Sequence, residues 1–178
     1  MELVQIVTEP LYSTVRWDNA PLQAMADYID EEWAKIDNDR VQGAHTMERP
    51  PPKELGFEDW AKLVFKEQGY EAVGYKWWIS VLQEQSRTDA THNWVQGFPH
   101  RHGWDHGRTL IFYVTSPEGG GETTVHDDVK NEIHSIECTP GMGVFVDGKV
   151  LHGVRPSTGQ TRRRCLICTA FTAAHGRI

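Results

Sequence analysis

At about Glu71 the spacing of apolar residues changes from three and four to two, and this limits the possible folds more than any other feature of the chain. Before the change, Leu22, Met25, Ile29, Trp33 and Ile36 form one apolar face of an amphipathic helix, with Asp30, Glu31 and Glu32 on its wet side. Asn19 is placed to cap this helix, Pro21 falls in its first turn, and Asp37-Asn38-Asp39 ends it. A second helix is expected from Phe57 to Gln68, with Phe57, Trp60 and Val64 on one side and Gly69 as its stop. Residues 41–56 between them read as a loop, stiffened into an extended left-handed conformation by Pro50-Pro51-Pro52. A short strand-like run, 3–7, precedes the first helix.

After the change, Tyr75, Trp77, Ile79 and Val81 alternate with Lys76, Trp78, Ser80 and Leu82, a strand with two usable faces. Further strands are expected at 91–98, 108–115, 121–126, 132–138, 143–147, 150–155 and 162–171. Several are separated by turn signals at Pro117-Glu118-Gly119, Pro140-Gly141 and Asp147-Gly148. Two helices followed by many short strands predict a mainly β protein, an antiparallel barrel or sandwich buttressed by two N-terminal helices. A chain of 178 residues is one domain on this reading, 1–70 the helical buttress and 71–178 the β core.

Composition narrows the function. A net charge of −7 argues against duplex nucleic acid or an anionic membrane as partner, since both need a basic footprint. No apolar run approaches the ~18 residues of a membrane span, and Met1-Glu2-Leu3 is unlike a signal peptide, so a cytoplasmic location is expected. Three cysteines make no disulfide framework. Cys165 and Cys168 form a C-x-x-C, but residues three apart on a strand face opposite ways, so these read as core cysteines.

Seven of the nine histidines lie between His92 and His152. On an extended segment the rings of His100 and His102 project from one face, the simplest backbone arrangement for a bidentate chelate, and His152 qualifies as a third ligand. Imidazoles without thiolates suit iron, zinc, copper or nickel. His126-Asp127-Asp128 reads as a solvated loop, and His92, His134 and His175 as surface or hydrogen-bonded residues. Arg162 and Arg164 share a strand face while Arg163 points away. Arginines buried in a barrel are costly without an anion, so at least one is expected to meet one. The competing reading is a solvated basic edge strand. Trp77, Trp78, Trp94 and Trp104 are candidates for lining a pocket, although tryptophans at strand period are more often core.

The stretch from His100 to Phe171 resembles the catalytic core of the iron(II)- and 2-oxoglutarate-dependent dioxygenases, whose fold is a double-stranded β-helix (jelly roll). Thr109-Leu110-Ile111-Phe112-Tyr113-Val114 resembles the strand after that family's first ligand motif. Gly119-Gly120-Gly121-Glu122-Thr123 is similar to a turn common in its prolyl-hydroxylase-like branch, and Pro140-Gly141-Met142-Gly143-Val144-Phe145 resembles the turn and strand before the distal histidine. His152, followed at plus ten by Arg162, matches the distal ligand and the basic residue that pairs with 2-oxoglutarate.

The resemblance implies Fe(II), 2-oxoglutarate and O2 as partners and hydroxylation of an unidentified organic substrate: a small molecule, an amino acid or a peptide side chain. It assigns the cosubstrate carboxylate to Arg162, with Arg164 in reserve, and gives Tyr113 and Thr123 as further hydrogen-bonding groups. The family's first motif is histidine, any residue, then a carboxylate, and no such triplet precedes the barrel strand here. Two ligand sets stay open. One is His100, His102 and His152; the other is His102, Asp105 and His152, which needs a turn at Gly103 and leaves His106 to orient Asp105 or a ligand ring. Two further readings also stand: a cupin-like metal-dependent oxygenase or isomerase that needs no 2-oxoglutarate, and a non-catalytic jelly-roll binding domain.

Overall fold

The computed structural model describes residues 6–9, 11–36, 43–82, 100–101 and 107–172. Among these the chain begins with β1 (Ile6–Thr8), β2 (Tyr12–Arg16), α1 (Leu22–Ala34), β3 (Gly43–Met47), a 3-10 turn (Lys53–Leu55) and α2 (Phe57–Glu67). It continues with β4 (Gly74–Leu82), β5 (Arg108–Thr115), β6 (Gly119–Gly120), β7 (Thr123–Asp127) and β8 (Glu132–Ile136). The last four strands are β9 (Met142–Asp147), β10 (His152–Val154), β11 (Ser157–Thr158) and β12 (Arg163–Phe171). The expected strand at 91–98 lies outside the described residues.

The architecture is mainly β. A seven-stranded antiparallel sheet runs β1-β2-β9-β5-β12-β4-β3, and a smaller antiparallel sheet runs β10-β7-β8. A single bridge between His100 and His152 adds one more partner to the β10 edge. The short β11-β6 pair closes the glycine turn against the chain that follows Pro156.

Strand alternation gives the large sheet two buried faces. On β5, Leu110, Phe112 and Val114 pack toward the helices, while Ile111 and Tyr113 join a second cluster with Val125 and Ile136 of the small sheet. On β12, Leu166, Cys168 and Ala170 face the helices, while Cys165 and Ile167 face the small sheet. Cys165 and Cys168 therefore lie on opposite faces, as free buried thiols.

The helices cover one face of the large sheet. Met25, Ala26 and Ile29 of α1 and Phe57, Trp60, Ala61, Val64 and Phe65 of α2 are buried. Trp60 stacks on Trp17 at 5.1 Å between ring centroids and meets Phe112 at 4.9 Å. The strand beneath comes close because Gly143 has no side chain; a Cβ there would sit 3.0 Å from Leu110, 3.1 Å from Trp60 and 3.1 Å from Val15. Gly69 ends α2 with φ +69°, its N–H donating to the Lys66 carbonyl and that of Tyr70 to Phe65.

Three expectations change, the first being the loop at 41–56, where β3 (Gly43–Met47) pairs with β4 and a 3-10 turn follows. Asn19 does not cap α1; Pro21 occupies the cap position without a side-chain cap bond. A turn closed by the Ala20 N–H on the Trp17 carbonyl takes up Asn19, and the helical ladder starts from the Pro21 carbonyl to the Met25 N–H. The first seventy residues also do more than buttress, because β1, β2 and β3 extend both edges of the large sheet.

Trp60 has no exposed surface. Replacing it with alanine is expected to cost about 3–5 kcal/mol of unfolding free energy. Chemical denaturation measures this, and a loss below about 1 kcal/mol would contradict the packing described.

Candidate functional site

His100 and His152 face each other across an antiparallel bridge. The His100 N–H donates to the His152 carbonyl at 2.8 Å, and the His152 N–H returns to His100 at 3.0 Å. Directly opposed residues in such a ladder share a face, and the two ring centroids are 4.7 Å apart. His152 in turn lies opposite Val125, whose side chain belongs to the inner cluster, so the shared face is the interior one. His152 is 3 % exposed. Its Nδ1 donates to the Val150 carbonyl at 2.9 Å, which puts the hydrogen on Nδ1 and the lone pair on Nε2. This is the arrangement by which a ligating imidazole is oriented, and two rings so placed fit a divalent metal ion as two of its ligands. Among the described residues no third histidine, cysteine or carboxylate completes the group. His102, Asp105 and His106 lie outside them.

On the same inner face, Val154 lies opposite Thr123, two residues along the ladder from the His152–Val125 pair. Thr123 accepts from the Tyr113 hydroxyl at 2.5 Å and from Arg163 Nη2 at 3.2 Å. The Arg163 guanidinium lies 5.2 Å from the Tyr113 ring centroid. Arg163 is 1 % exposed, its Nε has no hydrogen-bond partner, and no carboxylate among the described residues lies within ion-pair distance. Burial pushes the Tyr113 phenol above its usual range, against the opposing pull of Arg163 and the Thr123 hydrogen bond. Tyr113 is therefore a neutral hydroxyl. Burial likewise pushes the neighbouring Cys138 thiol up to about 12.

The glycine motif makes room for the arginine. Gly120 and Gly121 have φ +70° and +75°, a region that favours glycine. A Cβ on Gly120 would lie 2.0 Å from the Pro156 carbonyl oxygen. One on Gly121 would lie 2.7 Å from Pro117 Cγ and 3.2 Å from Arg163 Cδ. The Gly119-Gly120-Gly121 turn thus lets the chain pack directly against the Arg163 stem.

The structure brings Tyr113 and Thr123, both singled out in the sequence, together with Arg163 and not with Arg162 or Arg164. The Arg164 guanidinium turns to the helical face and pairs with Asp30 of α1 through Nε and Nη2, each at 2.8 Å. Arg162 precedes the strand, and its carbonyl accepts a hydrogen bond from Thr115. The cause is strand parity: Arg163, Cys165 and Ile167 share the inward face. The apolar pattern could not reveal this, because both faces of β12 are buried. Asp127 also departs from a solvated loop residue. Its carboxylate accepts the backbone N–H groups of Lys130 and Val129, which hold it below the usual carboxylate range. His134 lies opposite Val125, with its ring 6.0 Å from that of Tyr12. Trp77 is core, and Trp78 is half-buried with an unpartnered indole nitrogen. Trp94, Trp104, His92 and His175 lie outside the described residues.

No protein-family model matches the sequence, and no curated protein does. Solved structures do. A Pseudomonas putida prolyl-4-hydroxylase is 14% identical with a TM-score of 0.63, over 90% of this chain and 91% of that one. A viral collagen prolyl hydroxylase from Paramecium bursaria Chlorella virus-1 is 12% identical with a TM-score of 0.64, over 91% and 96%. The non-heme α-ketoglutarate-dependent carbocyclase SnoK of nogalamycin biosynthesis is 15% identical with a TM-score of 0.66, over 91% and 79%. The chain has the fold of prolyl hydroxylases and 2-oxoglutarate-dependent oxygenases. No helix among the described residues is long and apolar enough to cross a membrane.

Two outcomes follow from the inner compartment. Gly121→Ala is expected to lower stability by about 1–3 kcal/mol, whereas Gly74→Ala, with nothing within 4 Å, stays within about 0.5 kcal/mol. Equal losses in denaturant titrations would remove the close approach as the reason for Gly121. The raised Tyr113 pKa contributes stability that is fully present below about pH 10, the unfolded tyrosine value. That contribution is lost as pH rises from there toward the higher folded value. Ultraviolet titration of the folded protein should show Tyr113→Phe removing no tyrosinate signal near pH 10.

Proposed function

We propose that the chain is an Fe(II)- and 2-oxoglutarate-dependent oxygenase built on a double-stranded β-helix, hydroxylating a small molecule, an amino acid or a peptide side chain. The observation that carries this reading is the buried Arg163 guanidinium, without a carboxylate partner among the described residues, on the inner face that also holds His100 and His152. A buried cation beside neutral donors suits an anion, and a planar guanidinium suits a carboxylate.

In this reading His152, oriented through Nδ1, and His100 supply two imidazole ligands, and His102 or Asp105 supplies the third. Fe(II) bound there supplies the redox chemistry that activates O2. Two residues of strand separate the His152 row from the Thr123 row, about 7 Å along the ladder. A five-carbon keto diacid has the length to span that separation, so the histidine end would hold its keto acid and Arg163 would hold its distal carboxylate. Thr123 accepts from both Tyr113 and Arg163, which leaves its own hydroxyl hydrogen available to donate to the same anion. Tyr113, neutral at physiological pH, fixes Thr123. The dry interior strengthens each of these contacts and keeps bulk water from the reacting centre. The solved structures of like fold include prolyl hydroxylases, one in a 2-oxoglutarate complex, and a carbocyclase, which supports the class and leaves both peptide and small-molecule substrates in play.

The test is consumption of 2-oxoglutarate with release of succinate, dependent on added Fe(II). Metal binding without 2-oxoglutarate turnover would instead favour a cupin-like oxygenase, and no metal binding a non-catalytic domain. Arg163→Met is expected to raise the 2-oxoglutarate KM by about a hundredfold or more, since truncating one member of a buried charged pair costs about 2–5 kcal/mol. Arg162→Met and Arg164→Met should each change it by less than about fivefold. Reversal of that order would return the anion to the spacing-based choice, Arg162.

A further inference from the structure

Arg101 stands next to His100 in sequence, and its side chain does not follow the histidine inward. Its Nε donates to the Lys149 carbonyl at 2.9 Å, and its Nη2 forms an ion pair with Asp128. One guanidinium thus reaches two different turns, the one between β9 and β10 and the one between β7 and β8. Each turn is itself braced. Asp127 Oδ1 accepts Val129 and Lys130 N–H at 3.0 Å each, and Asp147 Oδ1 accepts Lys149 N–H at 3.0 Å while the Asp147 carbonyl accepts Val150 N–H at 3.0 Å.

The His100 backbone meets the small sheet at its bridge to His152. A metal ligand displaced by about 1 Å is a poor ligand, so contacts that fix the chain at Arg101 also fix the neighbouring imidazole. An exposed ion pair alone contributes little. Here the same side chain also donates to a neutral carbonyl, and its planar fork spans both acceptors at once, which a lysine cannot reproduce. Of His126-Asp127-Asp128, placed by sequence in a solvated loop, the first two end β7, and Asp128 opens the braced turn that presents its carboxylate to Arg101.

We propose that Arg101 is a positioning residue for the metal centre: it clamps the His100 strand onto the two turns beside it and so holds the His100 imidazole opposite His152. The proposal rests on the metal reading given above, but the clamp has a readout that does not. In metal-free protein, amide exchange at His100 should accelerate about tenfold in Arg101→Met. Asp128→Asn should give about a threefold acceleration, and Arg101→Lys should recover only part of the protection.

In calorimetric titrations with Mn(II), Arg101→Met should bind about tenfold more weakly than the wild type and Asp128→Asn about threefold. The double variant should be no worse than Arg101→Met, because both substitutions break one clamp. Melting of the metal-free variants should stay within about 3 °C of the wild type, as expected for exposed side chains. Unchanged His100 exchange, or Mn(II) affinity within twofold in Arg101→Met, overturns the clamp. Accelerated exchange in a protein whose wild type binds no Mn(II) sinks the metal reading and leaves the clamp as a strand anchor only.

Discussion

Taking the Arg163 guanidinium out of water costs several kcal/mol unless something compensates it, and the inner compartment is arranged around that cost. Thr123 receives one of its hydrogens, and the Tyr113 ring lies beside its charge. Gly121 gives up a side chain so that the stem of the arginine has somewhere to lie. None of these neutralises the charge. Acceptors and an aromatic ring lower the penalty, and an anion is what removes it. The glycine turn, the tyrosine strand and the arginine strand are therefore parts of one electrostatic arrangement, even though they are scattered between 113 and 163 in the chain.

The imidazoles of His100 and His152 share that inner face. A β-ladder does this without special loops, because opposed residues point the same way. His100 and His152 face one another, and two residues further along Val154 faces Thr123. The hydrogen bond from His152 Nδ1 to Val150 then chooses the tautomer. Position comes from the ladder and orientation from one local contact.

How much of this is written in the sequence depends on the residue. The period change near Glu71, the strands at 108–115, 143–147 and 162–171, and the apolar faces of both helices follow from local spacing, and the structure has them within a few residues. Tyr113 and Thr123 could be singled out because each belongs to a motif, but the hydrogen bond between them could not. Nor could the identity of the third partner. With both faces of β12 buried, hydrophobicity carries no information about which arginine points inward, and Arg162, ten residues after His152, precedes the strand. The partner that settles the question, Asp30 on α1, is 134 residues from Arg164 in sequence. The same limit applies to Asn19, which does not cap α1 and lies in the turn closed by the Ala20 N–H on the Trp17 carbonyl. The clusters around Arg101 and Asp128 were invisible for a like reason, since a charge pair between two hairpins leaves no periodic trace.

Arg163 and Arg164 are consecutive, and they look in opposite directions. One belongs to the chamber of the histidines, the other is held by a helix on the outside through a two-pronged grip on Asp30. Only one peptide unit separates the outer layer from the innermost charge. A strand buried on both faces can thus set one charge among the helices and the next in the inner compartment, with neither guanidinium crossing the sheet.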